Sequence, residues 1–170
     1  MDIYGPFSKP VEINLGMLGW AGDQAYVNGE LKVSFSPWLP QGQSDCVSCR
    51  LALPLGMDIE QSDEDGMCRI VGITGQGSAA SNGNNVRVGD IVRAVTSRAK
   101  HMVYPQAQVV LGGIGRPQLV TTFLPIERRP TALDALLDGI RSNLEVSPSS
   151  DDFGLREPGM VQLVLERPRK

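Results

Sequence analysis

Only one stretch of this chain carries a helical hydrophobic period, and that limits the possible folds more than any other feature. Leu133, Leu136, Leu137 and Ile140 recur at i, i+3, i+4 and i+7, one apolar stripe on a helix spanning Thr131 to Asn143. Thr131 follows Pro130 at the N-cap place, and Asp134 stands three residues on, as in a capping box. The other apolar runs are short and broken by Gly, Pro or acidic turns: Leu31 to Phe35, Arg50 to Leu53, Met57 to Gln61, Cys68 to Thr74, Asp90 to Val95, Gln108 to Leu111, Leu119 to Leu124 and Met160 to Glu166. In the last of these Val161, Leu163 and Leu165 alternate with Gln162, Val164 and Glu166. Gly77 to Ser81 is compatible with one further helical turn. With 19 Gly and 12 Pro in 170 residues, turns and long connections are plentiful. The expectation is one mainly β (α+β) domain whose amphipathic helix packs on a sheet.

Several classes of function are excluded early. No apolar run approaches the ~18 residues that cross a bilayer, so no transmembrane segment is expected. The pI is about 5.2 and there is no basic tract, which argues against nucleic acid as a partner. Charge is uneven: residues 1–68 hold 10 acids and 3 bases, residues 69–170 hold 9 acids and 13 bases. Two packed halves that neutralise one another explain this most simply. Three cysteines make no disulfide framework, and the start MDIYGPFSKP has neither a basic nor an apolar signal-peptide region. A soluble protein of a reducing compartment, cytoplasm or organelle interior, and not a secreted one, is therefore expected.

The order of elements is more specific than their type. A strand beginning at Arg50 leads to the turn Pro54-Leu55-Gly56-Met57, then to a strand, the acidic hairpin Asp63-Glu64-Asp65-Gly66, and the strand containing Ile70-Val71-Gly72-Ile73. Gly77-Ser78-Ala79-Ala80 and Val86-Arg87-Val88-Gly89-Asp90-Ile91-Val92-Arg93-Ala94-Val95 follow, then the Leu133 to Ile140 stripe and Val161 to Leu165. This succession resembles the PDZ domain over roughly residues 49–166, most specifically between Cys68 and Val95. The 34 residues from Ser97 to Pro130 and the loop Leu144 to Gly159 are longer than that compact family needs. The implied organisation is a loop-rich extension over 1–45 packing on a PDZ-like domain over 46–170, with an insertion at about 97–130. The implied architecture is a partly open barrel or sandwich of five to six strands, capped by a short and a longer helix, with extra N-terminal strands.

The resemblance also implies a chemistry. A Φ-Gly-Φ turn at a strand start aims the backbone N–H groups of Leu55, Gly56 and Met57 into a concavity suited to a carboxylate. Arg50, four residues before Pro54, matches the basic residue that assists it. The strand Met57-Asp58-Ile59-Glu60-Gln61 would be an open edge to which an extended peptide adds, with Leu133, Leu137 and Ile140 lining the pocket for its terminal side chain. Thr131, Ala132 or Leu133 stands where some family members carry His, so a ligand apolar at the facing position is expected. The implied function is non-enzymatic binding of another protein through a C-terminal or internal extended segment, without a cofactor. The alternative is an accessory subunit of a larger complex that uses its insertions, with a vestigial groove.

Other motifs are weaker. Cys46-Val47-Ser48-Cys49 is a lone C-x-x-C; Cys68 and His101 complete a metal site only if the fold gathers them, and a reversible Cys46–Cys49 or Cys49–Cys68 disulfide is the redox alternative. Gly75-Gln76-Gly77-Ser78-Ala79-Ala80 has a dinucleotide-loop outline, but the following helix breaks at Asn82-Gly83. The acidic hairpin fails as a calcium loop, since Gly66 at position six puts Gln61 at position one and Gly72 at position twelve. Asp134 and Asp138 lie i, i+4 on the polar side of the helix, with Arg141 three residues beyond Asp138. His101 is the sole histidine and no nucleophile signature accompanies any Ser or Cys, so no catalytic residue is assigned.

Overall fold

The computed structural model describes residues 2–15, 26–27, 30–81, 86–103, 112, 116–145 and 159–170. The expected strand Gln108 to Leu111 and most of the glycine run 112–115 lie outside these residues. Within them the strands are β1 (Asp2–Pro6), β2 (Val11–Asn14), β3 (Tyr26–Val27), β4 (Glu30–Phe35), β5 (Ser44–Ala52), β6 (Met57–Gln61), β7 (Cys68–Ile73), β8 (Ile91–Val103), β9 (Arg116–Pro125) and β10 (Met160–Pro168). The helices are α1 (Ser78–Ser81) and α2 (Ala132–Ser142). The fold is mainly β.

Seven strands form one antiparallel sheet in the order β1-β5-β10-β8-β7-β6, with β9 added to β8; β2-β4-β3 form a second sheet. Strand β10 lies between β5 and β8 and is buried from Val161 to Arg167. Alternation such as Val161-Gln162-Leu163-Val164 ordinarily marks a strand with one wet face. Here both faces are covered. Val47, Cys49 and Leu51 of β5, Val161, Leu163 and Leu165 of β10, Val92 and Val95 of β8, and Cys68 and Ile70 of β7 meet Ala132, Leu136 and Ile140 of α2 in one core. On the opposite face Cys46, Val164, Ala94 and Phe123 meet Phe7, Ile13, Leu15, Leu31 and Phe35 in a second core. The N-terminal residues are thus a layer laid over the back of the sheet.

Helix α2 comes close enough to β8 that a Cβ on Gly139 would stand 3.0 Å from Val95 Cγ1. Its start differs from the expected capping box. Thr131 occupies the N-cap but makes no side-chain cap bond; instead Gln61 Oε1 accepts the Leu133 N–H at 3.1 Å. Gln61 also donates from Nε2 to the Arg129 carbonyl at 2.5 Å, so the end of β6 is fastened to the start of α2. A distant amide outcompetes the local hydroxyl because it satisfies groups of two elements at once.

Strand β8 runs eight residues past the expected end at Val95, paired with β9 from Ala94↔Pro125 to Val103↔Arg116. Its continuation buries Thr96 and Arg98, polar side chains that sequence patterning does not assign to an interior. Thr96 Oγ1 accepts the Gln162 N–H, and Arg98 donates to the Glu145 carbonyl.

Candidate functional site

Strand β6 ends the large sheet, so its outer edge pairs with no described strand. Three peptide units at its start share one orientation. The carbonyls of Pro54, Leu55 and Gly56 accept hydrogen bonds from the N–H groups of Ser78 (3.1 Å), Ala79 (2.9 Å) and Thr74 (2.9 Å). In a trans peptide the N–H points opposite to the carbonyl of the same unit. The N–H groups of Leu55, Gly56 and Met57 are therefore directed away from α1 and the end of β7. Among the described residues none of the three donates in a turn or loop hydrogen bond. Met57 pairs with Ile73, and the flanking Thr74-to-Gly56 bond makes that pair the non-hydrogen-bonded kind, which turns the Met57 N–H toward the open edge.

Two glycines hold this turn. Gly56 has φ +68°, and a Cβ on it would lie 2.2 Å from the Gln76 carbonyl oxygen. Gly77 has φ +138°, and its Cβ would lie 2.6 Å from Gly56 Cα. The two backbones touch where any side chain would separate them. Ser78 Oγ adds a bond to the Ala52 carbonyl at 2.5 Å, fixing α1 to the end of β5.

The remaining expected site residues fall into four places. Met57, Ile59 and Leu133 are half-buried and pack on the core between β6 and α2, and Leu137, one turn along α2, is half-buried too. Ile140 is only 8% exposed and belongs to the core beneath. Asp58 is exposed, and a Cβ on the paired Gly72 would stand 2.8 Å from its Oδ2, so glycine at 72 leaves room for that carboxylate. Arg50 is exposed on the face of β5 opposite Cys49 and Leu51, and among the described residues no ion pair or hydrogen bond joins it to the turn.

Beyond Gln61 the β6–β7 hairpin and the segment before α2 enclose a cavity of about 410 Å³ lined by Gln61, Asp63, Asp65, Arg128 and Arg129, among others. Arg69 donates to Asp65 and holds its carboxyl well below the usual carboxylate range. A second cavity, about 640 Å³, lies between residues 87–90 and the end of β10. There Arg167 and Asp90 form a buried bidentate pair, at 2.9 and 2.7 Å.

The cysteines do not act together as a C-x-x-C unit. Residues i and i+3 of a strand point to opposite faces. Cys46 accordingly lies in the second core and Cys49 in the first, so the pair can neither chelate one ion nor close a disulfide without dismantling β5. Burial pushes both thiols up to about 12 and raises Cys68 as well. Among the described residues no three His, Cys, Asp or Glu side chains are grouped to hold a metal; the side chain of His101 lies outside them. No helix among them is long and apolar enough to cross a membrane.

One buried polar cluster is not marked by any sequence motif. Glu166 is 0% exposed, and its carboxylate accepts the N–H groups of Trp38 and Leu39 at 3.0 Å, the Ser44 hydroxyl at 2.8 Å and the guanidinium of Arg93. Arg93 is the extra residue of a β-bulge, since Val164 pairs with Ala94 but Leu165 with Val92. It also donates to the Ser36 carbonyl at 2.8 Å and stacks 3.9 Å from the Trp38 ring centre. The only local signal was an ionised residue inside or ending an apolar strand, at 93 and at 166. Neither a family model nor a curated protein sequence matches the chain.

Proposed function

We propose that this protein is a non-enzymatic, PDZ-like interaction domain that binds an extended or C-terminal segment of another protein by adding it as a strand to β6. The observation that carries the reading is the common orientation of the three peptide units 54–57, whose N–H groups are left for an acceptor beside an open strand edge. The element order supports it: a turn at Gly56, a hairpin, a one-turn helix, a long helix and a final strand, in the sequence the resemblance requires. A ligand carboxylate takes the three N–H groups, its backbone pairs along the outer edge of β6, and its apolar terminal side chain rests between Met57, Leu133 and Leu137.

Enrichment from a library of random free C-termini tests this, followed by calorimetry with the enriched peptide, its C-terminal amide and a form N-methylated at alternate residues. Loss of binding in both modified forms is expected, because one removes the carboxylate and the other the strand hydrogen bonds. Binding indifferent to both refutes strand addition.

A second reading, an assembly subunit that binds through its insertions, draws on β8 beyond Thr96. There β8 pairs only with β9 among the described residues, and Met102 is 47% exposed on the ribbon so formed. A partner held by that ribbon is not displaced by free C-terminal peptides, which separates the two readings.

A further inference from the structure

We propose, building on the strand-addition reading, that the segment bound along β6 is basic, with Lys or Arg upstream of its terminal residue. The turn 55–57 offers three N–H dipoles, whereas the rest of the groove is bordered by carboxylates. Asp58 and Glu60 are exposed along β6, and Asp63 and Glu64 form the hairpin at its far end. Among the described residues none of these four has an ion-pair partner. The nearby cations carry bonds of their own: Arg69, which stands opposite Glu60 in β7, bonds to Asp65, Arg129 to Glu127, and Arg128 to the Trp38 carbonyl and ring.

Direction follows from the ends of the groove. A ligand whose carboxylate sits at 55–57 runs antiparallel to β6, so its upstream residues travel toward Gln61 and the acidic hairpin. At about 3.3 Å per residue, the five residues of β6 meet the last few of the ligand. Its side chains on the Asp58 and Glu60 face are the cross-strand neighbours of those carboxylates, and the residues just upstream enter the field of Asp63 and Glu64. Opposite charges in such positions are favourable and like charges are not. The groove is thus polarised, anion-seeking at one end and cation-seeking along the rest.

The test uses the full chain and two short peptides that share a free C-terminal valine and differ only in carrying lysine or glutamate upstream. The lysine peptide should bind about tenfold more tightly at ~0.05 M salt, and the ratio should fall toward one near 0.5 M. The exposed double substitution Asp58→Asn with Glu60→Gln should remove several-fold of that ratio. If both peptides bind equally, or the glutamate peptide binds better, while C-terminal amidation still abolishes binding, the basic ligand is refuted and strand addition stands. If neither binds, or if the lysine peptide binds with no loss on amidation, both are refuted.

Discussion

Glu166→Gln should be among the most destabilising single substitutions in this protein, although it touches no residue of the proposed groove. The change preserves shape and one acceptor oxygen but removes the only anion among the described residues that is bonded to Arg93, which is 6% exposed. Leaving one member of a buried pair uncompensated costs about 3–5 kcal/mol. Arg93 keeps its bond to the Ser36 carbonyl and its stacking on Trp38, which places the loss near the lower end, about 3 kcal/mol. For a chain of this size that corresponds to a fall of roughly 6–12 °C in Tm. Urea unfolding should show a lower midpoint with an unchanged slope. The double variant Glu166→Gln with Arg93→Met should recover part of the loss, since no unpaired charge remains. A single-variant loss below about 1 kcal/mol, or no recovery in the double variant, would refute the view that this pair fastens the N-terminal layer to the sheet.

Other expectations concern the site and the thiols. Gly56→Ala should cost more than the ~1–2 kcal/mol of a left-handed residue, because its Cβ also meets the Gln76 carbonyl; an unfolding midpoint near wild type contradicts the close packing of residues 56 and 77. Gln61→Ala should cost about 0.5–2 kcal/mol by uncapping α2, with faster amide exchange in its first turn; unchanged exchange refutes the capping role. Cys46 and Cys49, both buried, should react with a thiol reagent only as fast as the protein opens. Their pKa is raised from 9.0 to about 12 in the folded state, so their contribution to stability is full below pH 9 and falls as pH rises from 9 toward 12. Replacing both by alanine should flatten that alkaline slope, and a slope that persists unchanged assigns it to other groups.

The elements of the proposed groove are legible in the sequence because each is specified locally. Alternation places β6 at Met57–Gln61, the Gly56 turn has its own signature, and four apolar residues at helical spacing identify α2. What was not legible depends on contacts between distant segments. The second core needs Phe7, Ile13 and Phe35 to meet Phe123 and Val164, and the Glu166 cluster joins residues 36–44, 93 and 166. Local pattern cannot register such pairings, because each partner taken alone reads as an ordinary surface or core residue. Gln61 as a helix cap was hidden for the same reason, whereas the weakness of the Cys46/Cys49 motif was legible from its place at a strand, and β5 extends through both residues.

Strand addition at β6 is best tested by following backbone amide resonances during titration with a library-selected peptide. The Leu55, Gly56 and Met57 N–H signals should move most, with shifts continuing along β6 to Gln61 and vanishing when the peptide's C-terminus is amidated. Shifts confined to the β8–β9 ribbon, or an unchanged response to the amide, would contradict it.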